Sequence, residues 1–431
     1  MVKTGFIKTL LYLSLLEIVA VHSVECQQSD WTHYRGDHLN GISSEKRLPS
    51  EWNDSLNIAW KARIEGEGWS SPVVFGSQVW LTSASHDGRQ LFANCIDFNT
   101  GKEVYRIKVL EPATVYPKHE MNTYATPTPC IEQGFVYVHF GTYGTVCLRT
   151  MDARVVWSRT DLNCDHIQGP ASSPIIYQNM LILHLEGADV QYIVALDKST
   201  GKTIWRTDRP KEIYDRLKPI GKKAYITPII INVNGRDLLI SPGSAACIAY
   251  DVHTGKEVWR VVQGEDSTIA MPVTEKGIVY FYSGFVTDRE GKEYSELLAV
   301  DPSGSGDVTS TKVLWRLKLP TLQLSTPVLK DGLIYNIDSK NNISCIDALT
   351  GNVISSKRLQ KKYNASPIIA AGNLYLTSMD GETTIIHAGS NLEISGKNKI
   401  TGEVFATPAI LRNSIIIRTK DCLLKVAENK N

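Results

Sequence analysis

Residues Ala195-Leu196-Asp197-Lys198-Ser199-Thr200-Gly201-Lys202-Thr203-Ile204-Trp205 decide the fold. The apolar start with small Ala195 reads as a buried strand, and the Asp197 carboxylate is placed to accept a hydrogen bond from the backbone two residues on. Gly201 supplies the positive φ of a tight connection, and Thr203-Ile204-Trp205 opens a second, antiparallel strand. Trp205 brings a large ring with a polar edge, suited to wedging between neighbouring units. Pieces of this stretch recur at intervals of roughly fifty residues, so the chain is a repeat array.

The spacing from the aspartate to the aromatic residue is kept in Asp97 to Tyr105, Asp197 to Trp205 and Asp251 to Trp259. It drifts in Asp152 to Trp157 and in Asp301 to Trp315, where Pro302 to Thr311 lengthens the connection. After Asp347 the aromatic place is taken by Ser355, and the copy around His387 to Ile394 keeps almost nothing of the motif. A second marker, a small residue followed by Pro and a β-branched or apolar run, repeats beside the first. It occurs at Ser71-Pro72, Thr126-Pro127, Ser173-Pro174, Thr227-Pro228, Met271-Pro272, Thr326-Pro327, Ser366-Pro367 and Thr407-Pro408. Proline at the first residue of a strand costs no ladder hydrogen bond, which explains its fixed place. Four short antiparallel strands per unit, eight times over, predict an all-β, eight-bladed β-propeller across residues 57–431. The last unit offers three strands, and Ile58-Ala59-Trp60-Lys61 is a Trp strand with no unit before it. The N-terminal strand near Trp60 is therefore expected to close the ring and remove its open sheet edges. Residues 27–56 read as an irregular lead-in anchored by Trp31 and Trp52.

Lys plus Arg number 46 against 45 Asp plus Glu, a balance with no electrostatic footprint for nucleic acid. Residues 1–26 fit a secretory signal, with Lys3 and Lys8 before the apolar run from Thr9 to Val21. That run is short for a membrane span, and no transmembrane span is expected in the mature chain. The expected location is secreted or periplasmic, with outer-membrane association left open because Cys26 invites a lipoprotein reading against the unfavourable Glu25. Of the eight cysteines, Cys95, Cys147 and Cys345 take the place of small Ala195 in the repeat, so they read as packing residues rather than ligands or nucleophiles. Cys130 and Cys164 fall at a strand start and in a loop. The basic run Lys211 to Lys223 reads as a solvated loop.

The element Ala249-Tyr250-Asp251-Val252-His253-Thr254-Gly255-Lys256-Glu257-Val258-Trp259 resembles the repeat of pyrroloquinoline-quinone-type eight-bladed propellers. That superfamily includes quinoprotein alcohol dehydrogenases and the lipoprotein propeller of the bacterial outer-membrane barrel-assembly machinery. The resemblance covers about residues 57–426. The lead-in, with Trp31-Thr32-His33-Tyr34-Arg35-Gly36 and Leu48-Pro49-Ser50-Glu51-Trp52, also resembles secreted bacterial propellers without an assigned activity. The dehydrogenases add an adjacent cysteine pair over the quinone, a calcium and an aspartate base. This chain has no adjacent cysteines, and none of those catalytic residues carries over, so neither pyrroloquinoline quinone nor calcium is expected.

Function is then sought in the loops around the central opening. Candidates are Trp69, His119, Asn122, Tyr124, Asp165, His166, Glu186, Asp189, Tyr225, Tyr363 and Asn364. Of these, His119, Asp165, His166, Glu186 and Asp189 form a candidate cation or polyol site, with Trp69, Tyr124 and Tyr225 as stacking platforms. The plainer reading of the same residues is solvated or turn-capping loops, with Trp69 packing the inner wall. No phosphate cradle, HExxH helix or serine elbow stands in context. The expectation is a monomeric binding or scaffold protein for a protein or polysaccharide partner, with no catalytic residue. The alternative is a divergent quinoprotein-like oxidoreductase, or another enzyme using the His/Asp cluster of units two and three.

Overall fold

The computed structural model describes residues 29–266, 268–320 and 323–428. The secretory-signal reading of residues 1–26, and any role of Cys26, lie outside these residues. Among them, eight antiparallel sheets of four principal strands form a propeller ring. Blade 1 contains Val73–Phe75, Gln78–Ala84, Leu91–Asp97 and Glu103–Leu110. Blade 3, which holds the opening motif, contains Ile175–Tyr177, Met180–Glu186, Gln191–Asp197 and Thr203–Asp208. Strand Ile58–Arg63 pairs antiparallel with Cys422–Ala427 and completes blade 8.

The motif is an inter-blade clasp. Asp197 Oδ1 accepts the Thr200 amide and hydroxyl, each at 2.8 Å, and the Ser199 amide at 3.1 Å. The tryptophan of the preceding blade then donates its indole N–H to the carbonyl just after the turn aspartate. Trp60 reaches Phe98, Trp157 reaches Lys198, Trp205 reaches Val252, Trp259 reaches Pro302 and Trp315 reaches Ala348, all at 2.9–3.1 Å. The turn glycine is required twice over. Gly255 sits at φ +69°, and a Cβ there would come within 2.5 Å of the Trp205 ring. Each buried indole contributes roughly 2–3 kcal/mol from apolar burial alone. Where the motif drifts, the clasp is replaced: Tyr105 donates to Met151 O at 2.5 Å, and Ser355 to Ser390 O.

The cysteine readings hold. Cys95, Cys147 and Cys345 occupy the register of Ala195, facing Tyr105, Trp157 and Ser355 as Ala195 faces Trp205. All three are buried and unbridged, and burial pushes the Cys147 thiol up to about 12. Two readings need correction. The first strand of blade 2 is Cys130–Glu132, so its marker is Thr128-Pro129 rather than Thr126-Pro127; the tandem Thr-Pro-Thr-Pro made the register ambiguous. The run from Lys211 to Lys223 is no simple solvated loop. It forms a short helix, Lys211–Tyr214, and a 3-10 turn, Pro219–Lys222, and it buries Tyr214 and Lys223.

The lead-in crosses beneath the ring at the end where each first strand turns into its second, touching successive blades. Trp31 pairs with Val74 of blade 1, Thr32 O accepts the Ile131 amide of blade 2, and His33 Nε2 accepts the Ile176 amide of blade 3. Leu39 packs on the clusters of blades 3 to 5. Arg35 is fully buried and donates to the carbonyls of Thr326, Pro327 and Pro367 in blades 6 and 7, and to Asn40 O. Gly41 carries φ +72°, and any side chain there would strike the Arg35 guanidinium. Glu45 accepts the Arg412 and Asn413 amides of blade 8. Trp31 and Trp52 are both buried, and the Trp52 amide donates to Asn398 Oδ1 at 2.8 Å.

Candidate functional site

The opposite end of the ring, where the inter-blade loops gather, holds a funnel of about 470 Å³. Tyr34 of the lead-in lines it from below, its hydroxyl 3.0 Å from that of Ser366. Trp69 and Phe405 form part of the wall, stacked at 4.4 Å and 20°. Tyr225, Phe285, Met121 and Leu324 add apolar surface, while His119, Asn122, Gln168, Asp266 and Asn364 add polar groups.

Six of the eight residues that precede the strand prolines line this funnel. Six of their amides donate to the hydroxyl of the next blade, beginning with Ser71 to Thr128, Thr128 to Ser173 and Ser173 to Thr227, at 2.9–3.0 Å. The chain resumes with Met271 to Thr326, Thr326 to Ser366 and Ser366 to Thr407, at 2.9–3.1 Å. Met271 lacks a hydroxyl, which interrupts the series at blade 5. The proline explains the arrangement: it cannot donate, so the residue before it is the last amide available for a neighbour.

The sequence candidates divide. Trp69, His119, Asn122, Tyr225 and Asn364 all line the funnel. Asn122 also braces its own loop, donating to Gln168 O at 2.8 Å and accepting the Thr123 amide. Tyr225 donates to His166 O at 2.6 Å. Tyr124 lies outward, edge-on to Tyr143, with its hydroxyl on Tyr116 O. Tyr363 is buried among blades 6 and 7, its hydroxyl 3.1 Å from Thr384.

The five-residue His/Asp/Glu cluster does not converge, and among the described residues no group of three or more His, Cys, Asp or Glu side chains gathers to hold a metal. Asp165 and Asp189 are turn caps: Asp189 Oδ1 accepts the Asp165 amide at 2.7 Å, and Asp165 Oδ1 accepts the Ile167 amide at 3.0 Å. His166 is buried against Gly141 and Pro170, with its Nδ1 3.8 Å from Cys164 Sγ. Desolvation lowers its pKa to about 4, so it is neutral. Glu186 is sealed between blades 3 and 4, with Oε2 2.9 Å from Arg209 Nε and 3.1 Å from His184 Nε2. Its other oxygen accepts Tyr214 and the Ser244 amide. Burial opposes ionisation, yet the Arg209 charge and these bonds hold the carboxyl below its usual range. Glu186 ended a strand that reads as reaching the loop face, and apart from His184 its partners Arg209, Tyr214 and Ser244 lie 23 to 58 residues away, beyond any local pattern.

Sequence reasoning missed Phe405, Phe285 and the lumenal hydroxyls. The hydroxyls carried a signal: seven of the eight Pro markers begin with Ser or Thr, which strand geometry alone does not require.

Solved structures repeat the architecture. BamB from Moraxella catarrhalis superposes with a TM-score of 0.59 at 11% identity, over 86% of this chain and 99% of that one. Quinohemoprotein alcohol dehydrogenase from Comamonas testosteroni superposes with a TM-score of 0.64 at 12% identity, over 93% of this chain and 81% of that one. At such identities the likeness is one of fold. In sequence, the chain is 20% identical over 347 residues to a tetrathionate hydrolase of Acidithiobacillus ferrooxidans, covering 74% of this chain and 65% of that protein. It is 29% identical over 141 residues to outer membrane protein assembly factor BamB of Francisella salina, covering 32% of this chain and 23% of that protein. The match spans less than two thirds of either relative. The dehydrogenase likeness raises the question of a quinone, and the funnel does not fit one. Pyrroloquinoline quinone carries three carboxylates, whereas among the described residues the lining includes no Lys or Arg, and its carboxylate, Asp266, pairs with Lys223. A family model described as outer membrane protein assembly factor BamB matches residues 53–208, 189–307 and 293–394, and the chain belongs to that family of pyrroloquinoline-quinone-type propellers.

Proposed function

We propose that this chain is a non-catalytic binding protein of the cell envelope, which presents its loop face to a protein or glycan partner and takes part of that partner into the funnel. The observation that carries this reading is the funnel itself, floored by the lead-in and walled by stacked aromatic rings and neutral polar groups. Such a cavity offers area and hydrogen bonds, and among the described residues no group of three or more His, Cys, Asp or Glu gathers there to hold a metal. The name of the matched family, an assembly factor of the outer membrane, supports the envelope and the scaffold role. Among the described residues no helix is long and apolar enough to cross a membrane.

The test pairs capture with turnover. A photo-cross-linking residue placed at Trp69 is expected to trap a partner from envelope extract, and one at exposed Leu349 on the outer rim is not. Purified protein is expected to leave tetrathionate unconsumed and to show no rise in melting temperature with pyrroloquinoline quinone and calcium. Turnover of tetrathionate, or a quinone-dependent rise, would overturn the reading in favour of an enzyme.

A further inference from the structure

From the funnel we infer that the group it takes is a neutral saccharide, a deepening that rests on the binding reading above. Six hydroxyls face the lumen, those of Ser71, Thr128, Ser173, Thr227, Thr326 and Thr407. Every one of these residues is more than nine-tenths buried. Five of the six oxygens already accept an amide from the neighbouring blade. Among the described residues none of the six hydroxyls has an acceptor for its own hydrogen. A hydroxyl that accepts along the ring and donates to nothing in the protein is left to donate into the cavity, and buried donors of this kind need a partner.

Higher up, the side-chain amides of Gln168 and Asn364 line the funnel with no protein partner among the described residues. Each supplies a donor and an acceptor. Beside them stands the Trp69 and Phe405 stack, an apolar platform of the kind that covers the C–H face of a pyranose ring. Charge decides between ligands that could use such donors. An oxyanion would enter a site whose lining includes no Lys or Arg and whose carboxylate already has its cation. Desolvating a full charge there is costly. A sugar brings many neutral acceptors and donors around an apolar face, and so matches both the ring and the platform.

Calorimetric titration of the whole chain tests this with cellohexaose, maltohexaose, laminarihexaose and chitohexaose as probes, and with sodium sulfate and tetrathionate as the anionic arm. At least one neutral oligosaccharide is expected to bind with a Kd of about 1 mM or tighter. Trp69→Ala should weaken it at least about tenfold, and Ser71→Ala about threefold. Ser71→Ala is the cleaner variant, because among the described residues the Ser71 hydroxyl holds no bond, and its loss should leave the melting temperature unchanged. Binding of an anion with none of the sugars, or affinity unchanged in Trp69→Ala, overturns the inference. A partner protein cross-linked at Trp69 with no sugar bound overturns it too and leaves the binding reading standing. Neither cross-link nor sugar overturns both.

Discussion

The two ends of the ring are built on opposite terms. At the floor, the Arg35 guanidinium donates to four carbonyls drawn from two blades and the lead-in, and a glycine is kept at 41 so that it fits. At the mouth, hydroxyls and amides line a cavity with donors left over. One end spends its polar groups on itself and the other holds them out. The difference separates what makes the ring from what the ring is for: substitutions at the sealed positions should act on stability, and substitutions at the mouth should act on binding.

The largest effect is expected at the most sealed position. Glu186→Gln leaves the Arg209 charge uncompensated between blades 3 and 4, and should cost roughly 3–5 kcal/mol in denaturant unfolding. Were Glu186 part of the binding site, the same change would alter ligand affinity with little loss of stability. Next, Arg35→Ala strands three buried carbonyls and a part-buried one and opens a void under the ring, at a cost of roughly 2–4 kcal/mol. If the floor were only a loose cover, that loss would stay within experimental error.

Buried histidines sharpen the comparison through pH. Desolvation lowers the pKa of His33 in the floor to about 4, against the attraction of Asp37 and Glu132. It lowers His139 to about 3 with help from the charge of His166, and His166 itself to about 4. Each folded-state value lies below the ordinary 6.5. The unfolded chain therefore binds the proton first, stability is full above pH 6.5, and it is lost as pH falls from 6.5 toward 4. At pH 5 each histidine removes up to about 2 kcal/mol. Melting curves between pH 7 and pH 5 check the slope, which His33→Gln should flatten. A stability that rises on acidification would contradict the assignment.

Much of the ring was legible because each half of its clasp is a local hairpin. Asp197, Thr200, Gly201 and Trp205 lie within one hairpin, and the hairpin reappears in register wherever the tryptophan meets the following turn. The register of blade 2 was not, because Thr126-Pro127 and Thr128-Pro129 carry the same local signal and only strand pairing chooses between them. Nor was the lead-in: it has no period, and its meaning lies in bonds to residues such as Pro367, 332 positions away. The mouth was half legible. Trp69, His119, Asn122, Tyr225 and Asn364 stand in loops that repeat geometry places at the centre, but Phe405 joins Trp69 only after the ring has closed. Acidic and histidine residues near the same loops misled, because a side chain one position from the lumen can face the seam between blades, as Glu186 does toward Arg209.

The smallest stability change and the largest binding change are expected at one residue. Trp69 is half-buried, and its stacking on Phe405 is worth about 1 kcal/mol beyond its partial apolar burial, so Trp69→Ala should cost about 1–2 kcal/mol, less than Arg35→Ala. Oligosaccharide titration and denaturant unfolding of Trp69→Ala, run side by side with Arg35→Ala, therefore test the separation of mouth from floor. The predicted result is affinity lost with stability mostly kept in Trp69→Ala, and stability lost in Arg35→Ala. Affinity kept in Trp69→Ala, or a loss of stability there equal to that of Arg35→Ala, would contradict it.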